Sequence, residues 1–257
     1  MSILVESLGQ TGFKFCFDEL IVYIDPYLSD YVEEMEGPRA KRQVPVKIPP
    51  EKIEDADWVV ITHAHIDHCD PKTLLPISQA SIKCKFIAPR EVCDLVKSFG
   101  VEDERIIEAK ENWWSIGKGL ELIAIPAAHP TIERDEYGSL RCVGYIFRYQ
   151  GKRIYHSGDT VVDSKLIQTI NASGGVDVAF LSVNEKNFFR DRLGIIGNMS
   201  VRDAFNLTEE IGAKALVPMH WDMFELNNVY PEEIELLYEK LTPNFELVFK
   251  PDLIITN

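Results

Sequence analysis

Three of the six histidines in this 257-residue sequence fall within six consecutive residues. They are His63, His65 and His68, and Asp67 precedes the last of them. The run WVVIT before them is apolar and β-branched, which predicts a buried strand. In an extended chain, side chains two residues apart face the same way, so His63 and His65 can reach one metal ion. The segment therefore predicts a metal site at the carboxyl end of a strand.

A helix is predicted directly after this segment. Asp70 is a favoured N-cap residue, and Pro71 is the residue type favoured at the first helical position. Asp67 and His68 therefore lie in the tight connection between the strand and the helix.

The same arrangement recurs at three other predicted strands. LELIAIPAA leads into His129, RIYHSG leads into Asp159, and ALVPM leads into His220. In layered α/β proteins, sites assemble where strand ends converge, so these side chains are expected to share one polar cleft. The candidate ligands are seven, enough for two ions: His63, His65, Asp67, His68, His129, Asp159 and His220.

The elements that must position these ligands follow a regular order. ILVESL, FKFCF and LIVYID are short β-rich runs bounded by turn residues, which predicts an antiparallel meander. Residues 26–50 are polar and proline-containing, and they predict a long surface loop that could lean over a site. Strands and helices then alternate, and the predicted helices are 71–79, 90–99, 162–171, 201–211 and 231–241. Two βα halves of similar make-up predict an α/β protein with a four-layer αββα sandwich.

Bulk composition restricts the function classes. Hydrophobic residues make up 46% of the chain, so a sizeable core is expected, and we treat residues 1–257 as one domain. The net charge of -14 and the lack of a basic stripe argue against nucleic acid as a partner. The five cysteines are scattered, and neither a secretory leader nor a membrane-length segment is visible, which predicts a cytoplasmic protein without a membrane partner. A small-molecule substrate is expected, and a homo-oligomer is left open.

The motif HAHIDH matches the H-x-H-x-D-H signature, and the chain resembles the metallo-β-lactamase superfamily. The three later ligands stand in the order that this family shows. The resemblance implies two divalent transition-metal ions, with Asp159 bridging them. One ion would take His63, His65 and His129, and the other Asp67, His68 and His220. Imidazole and carboxylate ligands suit zinc or manganese, and they leave iron open.

Within that superfamily, the chain looks most like ascorbate-6-phosphate lactonase-like proteins, through IYHSGDT, GNMS and VPMHWDMF. It is shorter than those proteins, and Glu185 and Lys186 stand where a Gly-Arg pair is expected. We therefore expect a hydrolase in which a metal-bound hydroxide opens a lactone or related ester of a small polar metabolite, and in which Asp67, as a catalytic carboxylate, or a water at the leaving group handles the proton. The sequence PAAHPT around His129 differs from the G-H-T-x-G-H of glyoxalase II, which argues against that activity.

Several alternatives stay open on sequence alone. A phosphodiesterase could use the same two ions, whereas di-iron redox relatives usually carry Glu at the position of His65. A scaffolding role would not require a complete ligand set. Three basic residues could contact a substrate phosphate or carboxylate, or form a solvated loop: Lys186, Arg190 and Arg192. His156 either orients a ligand or packs in the core, and Cys69 is expected to be a small buried hydrophobe.

Overall fold

The computed structural model describes residues 2–249 and 252–256. Two seven-stranded sheets face each other in this part of the chain. The strands of the first sheet are β1 (Ser2–Gly9), β2 (Gly12–Phe17), β3 (Leu20–Ile24), β4 (Trp58–Val60), β5 (Lys85–Ala88), β6 (Ile106–Glu108) and β14 (Asp252–Thr256). Those of the second are β7 (Trp114–Gly117), β8 (Leu120–Pro126), β9 (Val143–Tyr149), β10 (Lys152–His156), β11 (Val178–Ser182), β12 (Ala215–Met219) and β13 (Glu246–Leu247).

Each sheet has an antiparallel part and a parallel part. In the first, β14, β1, β2 and β3 are antiparallel neighbours, and β3, β4, β5 and β6 continue in parallel. In the second, β7, β8, β9 and β10 are antiparallel, and β10, β11, β12 and β13 are parallel. Because two antiparallel steps separate β8 from β10, the strands β8, β10 and β12 all run the same way. Their carboxyl ends therefore reach one edge of the sheet.

Helices cover the outer faces of both sheets. The helices are α1 (Tyr31–Glu36), α2 (Pro71–Ala80), α3 (Arg90–Ser98), α4 (Ser164–Ala172), α5 (Phe188–Arg192), α6 (Val201–Glu210) and α7 (Pro231–Leu241). Apolar side chains of α2 and α3 pack on the first sheet, and those of α4, α6 and α7 pack on the second. The layers are thus αββα, as the sequence predicted.

The space between the sheets is filled by aromatic and branched side chains. Phe15 on β2 is fully buried, and its ring centroid lies 5.6 Å from that of Phe147 on β9 and 5.4 Å from that of Phe180 on β11. Burying a side chain of this size stabilises the fold by about 1.5–3 kcal/mol. These contacts join the two sheets.

Two short helices were not predicted. The segment 26–50 is partly ordered as α1 and a 3-10 turn at Pro38–Ala40, although the sequence predicted a loop. The helix α5 begins after Asn187, whose side chain accepts a hydrogen bond from the backbone N–H of Arg190. Helices of five or six residues complete fewer than two turns. They are therefore too short to show a repeating pattern of apolar residues in the sequence. Within the described residues, no helix is long and apolar enough to span a membrane.

Candidate metal centre

All seven predicted ligands lie near the carboxyl ends of strands, as expected. His63 and His65 follow β4, and the chain then turns into α2. The Asp70 carboxylate accepts a hydrogen bond of 2.8 Å from the Lys72 backbone N–H, and Pro71 occupies the first turn. This cap fixes where the helix begins, and it holds Asp67 and His68 in the connection. From the second sheet, β8, β10 and β12 lead to His129, Asp159 and His220.

One cluster consists of three imidazoles and a carboxylate. His65 Nδ1 lies 3.0 Å from His63 Nε2 and 3.2 Å from His129 Nε2. Asp159 Oδ2 lies 3.7 Å from His129 Nε2. Nitrogen ligands at about 2.0–2.1 Å from a tetrahedral zinc would be separated by roughly 3.3 Å, so these spacings fit a shared cation. The four groups could hold one metal ion.

A second cluster adjoins the first through Asp159. Asp67 Oδ2 lies 3.4 Å from His220 Nε2 and 3.6 Å from His68 Nε2. Asp159 Oδ1 is 3.5 Å from His68 Nε2, and its Oδ2 is 3.2 Å from His220 Nε2. Since Asp159 also borders the three imidazoles, its carboxylate lies between the two clusters. The arrangement can place two cations on opposite sides of one carboxylate.

The His68 ring provides a direct indication that the second cluster fits a cation. Its Nε2 is buried and has no hydrogen-bond partner, although it faces Asp67 and Asp159. A buried polar atom without a partner costs about 1–3 kcal/mol. An imidazole nitrogen and carboxylate oxygens are together a donor set for divalent transition metals, so a bound ion would remove this cost.

Burial and neighbouring charges set the protonation states of the candidate ligands. Burial lowers the pKa of the His63 imidazole and lowers that of His129 to about 4, so both rings are neutral at physiological pH. Burial opposes charge on His220 too, but the Asp159 carboxylate beside it raises the pKa to about 9. Burial would raise the pKa of Asp159, yet the neighbouring His220 and His68 hold it well below its usual range. The carboxylate is therefore ionised and available as a ligand.

Sequence reasoning missed Asp25, which orients two of the candidate ligands. Its fully buried carboxylate accepts from His68 Nδ1 at 2.7 Å, from the Thr62 backbone N–H at 2.8 Å and from Thr62 Oγ1 at 2.7 Å. Thr62 Oγ1 is in turn 3.0 Å from His63 Nδ1. Metal-binding imidazoles usually donate their other ring N–H to such a group, which leaves Nε2 free for the ion. The sequence did contain a signal for Asp25, because this residue directly follows the apolar run LIVYI and so lies at a predicted strand end, as the candidate ligands do.

Gln10 was also missed. It lies in the turn between β1 and β2 with φ of 58°, and its Nε2 donates to Asp67 Oδ2 at 2.6 Å. The same Nε2 lies 3.1 Å from His220 Nε2, and the Gln10 carbonyl accepts from the His220 backbone N–H at 3.0 Å. Gln10 therefore fixes the carboxylate of Asp67 and the backbone of His220. A glutamine in a hairpin turn is ordinary, so the sequence offered no signal.

His156 and Cys69 lie beside the centre. His156 is fully buried, its Nε2 donates to the Thr11 carbonyl at 2.8 Å, and its Nδ1 accepts from the Gly158 N–H at 3.2 Å. It belongs to neither ligand cluster and ties the end of β10 to the turn after β1. Burial raises the pKa of the Cys69 thiol, so this side chain remains neutral among the apolar residues beneath α2.

A cavity of about 660 Å³ opens above the two clusters, and His65, Asp67, Asp159 and His220 lie in its wall. The segment 26–50 borders it, as the sequence suggested. The three residues that were predicted to contact an anion do not line this cavity: Lys186, Arg190 and Arg192. Arg190 donates to the backbone carbonyls of Glu185, Leu226 and Asn228, Arg192 lies over the ring of Phe188, and the Lys186 backbone N–H donates to Asn198.

The charged side chains that do line the cavity, apart from the candidate ligands, are Glu36 and Arg39. Arg39 is exposed and lies in the short turn after α1. Its place in the wall was not visible from sequence, because it depends on how the segment 26–50 folds back over the strand ends.

The sequence profile of a family described as the beta-lactamase superfamily domain matches residues 21–221. The chain belongs to this family. The matched region contains every candidate ligand, and the four-layer architecture is the one that the resemblance implied. The fold of this family implies divalent metal ions, in agreement with the clusters of histidine and aspartate.

Among curated relatives, the chain is 29% identical over 223 residues to a probable L-ascorbate-6-phosphate lactonase, UlaG, of Salmonella heidelberg. The match covers 82% of this chain and 61% of the relative, so the chain spans about three fifths of the length of the curated relatives it matches.

Solved structures share the fold over nearly the whole chain. Igni18, a metallo hydrolase from Ignicoccus hospitalis, superposes with a TM-score of 0.73 at 22% identity, covering 99% of this chain and 98% of that one. A possible metal-dependent hydrolase from Veillonella parvula gives 0.78 at 17% identity with full coverage of both chains. An isothiocyanate hydrolase from Delia radicum gut bacteria gives 0.76 at 16% identity, covering 99% of each.

Proposed function

We propose that this protein is a metal-dependent hydrolase that opens a lactone or a related carboxylic ester at a dinuclear centre. The observation that carries the proposal is the pair of ligand clusters that share Asp159 in the wall of a cavity. The cavity volume of about 660 Å³ lies within the range of small-molecule sites, about 300–1,000 Å³. The ligand set suits zinc or manganese in both positions. The similarity to a lactonase supports the choice of a lactone over other esters.

Two bound cations would supply a water of lowered pKa and would polarise the scissile carbonyl oxygen. The chain supplies the positioning. Asp25 and Thr62 hold the rings of His68 and His63, and Gln10 holds the Asp67 carboxylate. Preorganised groups of this kind need little rearrangement when charge develops during the reaction.

Asp67 is assigned the proton transfer. Hydrolysis adds water across the ester: the attacking oxygen bonds to the carbonyl carbon, and the bond from that carbon to the leaving oxygen breaks. The Asp67 carboxylate accepts the proton of the water and returns it to the leaving oxygen. Its neighbours His68 and His220 hold its pKa low despite burial, so the carboxylate is ionised before the reaction.

The proposal is tested with metal-loaded protein and a panel of γ-lactones, simple esters and bis(p-nitrophenyl) phosphate. We expect lactones and esters to be turned over faster than the phosphodiester under the same metal conditions. A phosphodiester preference of tenfold or more would instead identify a phosphodiesterase, since two cations serve attack at phosphorus equally well. Metal-loaded Asp67→Asn protein is the control for turnover by free metal.

A further inference from the structure

We propose that the substrate carries an apolar group next to its reacting carbonyl, and that the cavity binds this group. This proposal rests on the proposed hydrolase function in one respect only, namely that the reacting part of the substrate is a carbonyl group. The binding of the apolar group is a property of the cavity wall and can be measured without turnover.

Part of the cavity wall is apolar. It is formed by Ile66, Leu193, Ile195, Ile196, Phe224 and Leu226. Three separate segments contribute these side chains: the connection before α2, the turn after α5, and the chain that follows His220. Small-molecule sites are commonly lined by apolar side chains, and these six can contact an apolar group of a ligand.

One polar side chain of the cavity, Asn227, is already engaged. The side-chain oxygen Oδ1 of Asn227 accepts a hydrogen bond of 3.0 Å from Asn184 Nδ2, and Asn227 Nδ2 lies 3.5 Å from His220 Nδ1. Glu36 and Arg39 are the charged side chains of the cavity apart from the candidate ligands, and both belong to the segment 26–50. A hydroxyl group of a ligand that faces one of the six apolar side chains would be buried without a partner, and each such group would weaken binding on the order of tenfold.

Part of the apolar wall is exposed to solvent. Leu193 is 43% exposed and Ile196 is 40% exposed. The adjoining helix α5 adds Phe188 and Phe189, which are 76% and 57% exposed. The apolar surface thus continues along the chain beyond the cavity wall. A ligand with an alkyl chain would remove this surface from water, whereas a compact polar ligand would leave it exposed.

The test uses metal-loaded protein and γ-lactones whose alkyl substituent grows one methylene at a time. We expect kcat/KM to rise about threefold to fourfold per methylene until the wall is covered. In parallel, calorimetry measures the dissociation constants of unreactive straight-chain carboxylates of matching lengths. Their affinity is expected to rise by a similar factor per methylene.

The variant Leu193→Asn/Ile196→Asn removes apolar surface at two partly exposed positions, so the fold is expected to be retained. It should flatten the dependence of kcat/KM and of carboxylate affinity on chain length. The matched control is Ile82→Asn, because Ile82 is 72% exposed and lies outside the cavity wall. This control should keep the wild-type dependence.

The outcomes separate the two proposals. A dependence on chain length in carboxylate binding, without turnover of any lactone or ester, would refute the proposed reaction and support the apolar site. A flat series in both turnover and binding would overturn the apolar site, whether or not lactones are hydrolysed. An unchanged dependence in the double variant would also overturn it, since these side chains are assigned the contact.

Discussion

Replacing Asp25 with asparagine tests how the candidate ligands are oriented. The Asp25 carboxylate faces three donors: the Thr62 backbone N–H at 2.8 Å, Thr62 Oγ1 at 2.7 Å and His68 Nδ1 at 2.7 Å. Asparagine has the same shape but presents an NH₂ group on one side, which must then face one of these donors. If it faces His68, the ring must shift its proton to Nε2, the atom that is assigned to the metal.

The expected loss of metal affinity can be estimated from this geometry. Losing a hydrogen bond to a charged group costs about 1.5–3 kcal/mol, and losing the partner of a metal-binding histidine lowers metal affinity about 10–100-fold. The two figures agree, because a tenfold change in affinity corresponds to about 1.4 kcal/mol. We therefore expect Asp25→Asn to bind the ion at Asp67, His68 and His220 about 10–100-fold more weakly. The ion at His63 is affected less, since Thr62 lies between that ring and Asp25.

The assay is competition for metal with a chelating indicator, combined with thermal unfolding of the metal-free protein. Asp70→Asn is the matched control, because Asp70 is also fully buried and accepts from Ser29 Oγ and the Lys72 N–H at the start of α2. Both variants should unfold at lower temperature, and only Asp25→Asn should lose metal affinity. The reasoning is refuted if Asp25→Asn binds both ions within threefold of wild type, or if Asp70→Asn weakens metal binding equally.

Three further predictions concern the reaction and its pH dependence. Asp67→Asn should abolish turnover with the fold retained by circular dichroism, and activity within a few-fold of wild type would remove Asp67 from the mechanism. Arg39→Ala should raise KM about fivefold for an anionic ester and spare a neutral one, whereas Arg192→Ala should change neither; the figure is modest because Arg39 is exposed. In metal-free protein, despite burial, the Asp159 carboxylate raises the pKa of His220 to about 9, and the Asp67 carboxylate also raises that of His68, so both rings are protonated at pH 7 and metal must displace both protons. Apparent affinity for the second ion should then rise by up to about 100-fold per pH unit from pH 6 to 8, as followed by competition titration, and a flat profile would contradict the assignment.

The sequence predicted the layers and the candidate ligands because both follow local rules. Strand ends are marked by the change from apolar runs to polar residues, and His129, Asp159 and His220 each stand at such a change. Asp25 stands at one as well. Its role depends on which side chain the fold places against it, and no local rule gives that information.

The substrate contacts were harder to predict for a similar reason. Arg190 belongs to a basic loop in the sequence, but three backbone carbonyls surround its guanidinium group in the structure. Arg39 belongs to a stretch that was predicted to be a loop, and a short helix and turn bring it to the cavity. Loop paths depend on tertiary packing, so composition alone could not assign either residue.

Metal content is the most direct test of the dinuclear centre. Elemental analysis of protein purified without chelators should give two divalent transition-metal ions per chain for wild type and for His156→Ala. His68→Ala should retain about one ion per chain, because the cluster of His63, His65, His129 and Asp159 remains complete. A wild-type protein that holds one ion or none after supplementation with zinc or manganese, or a His68→Ala protein that holds two, would contradict the account.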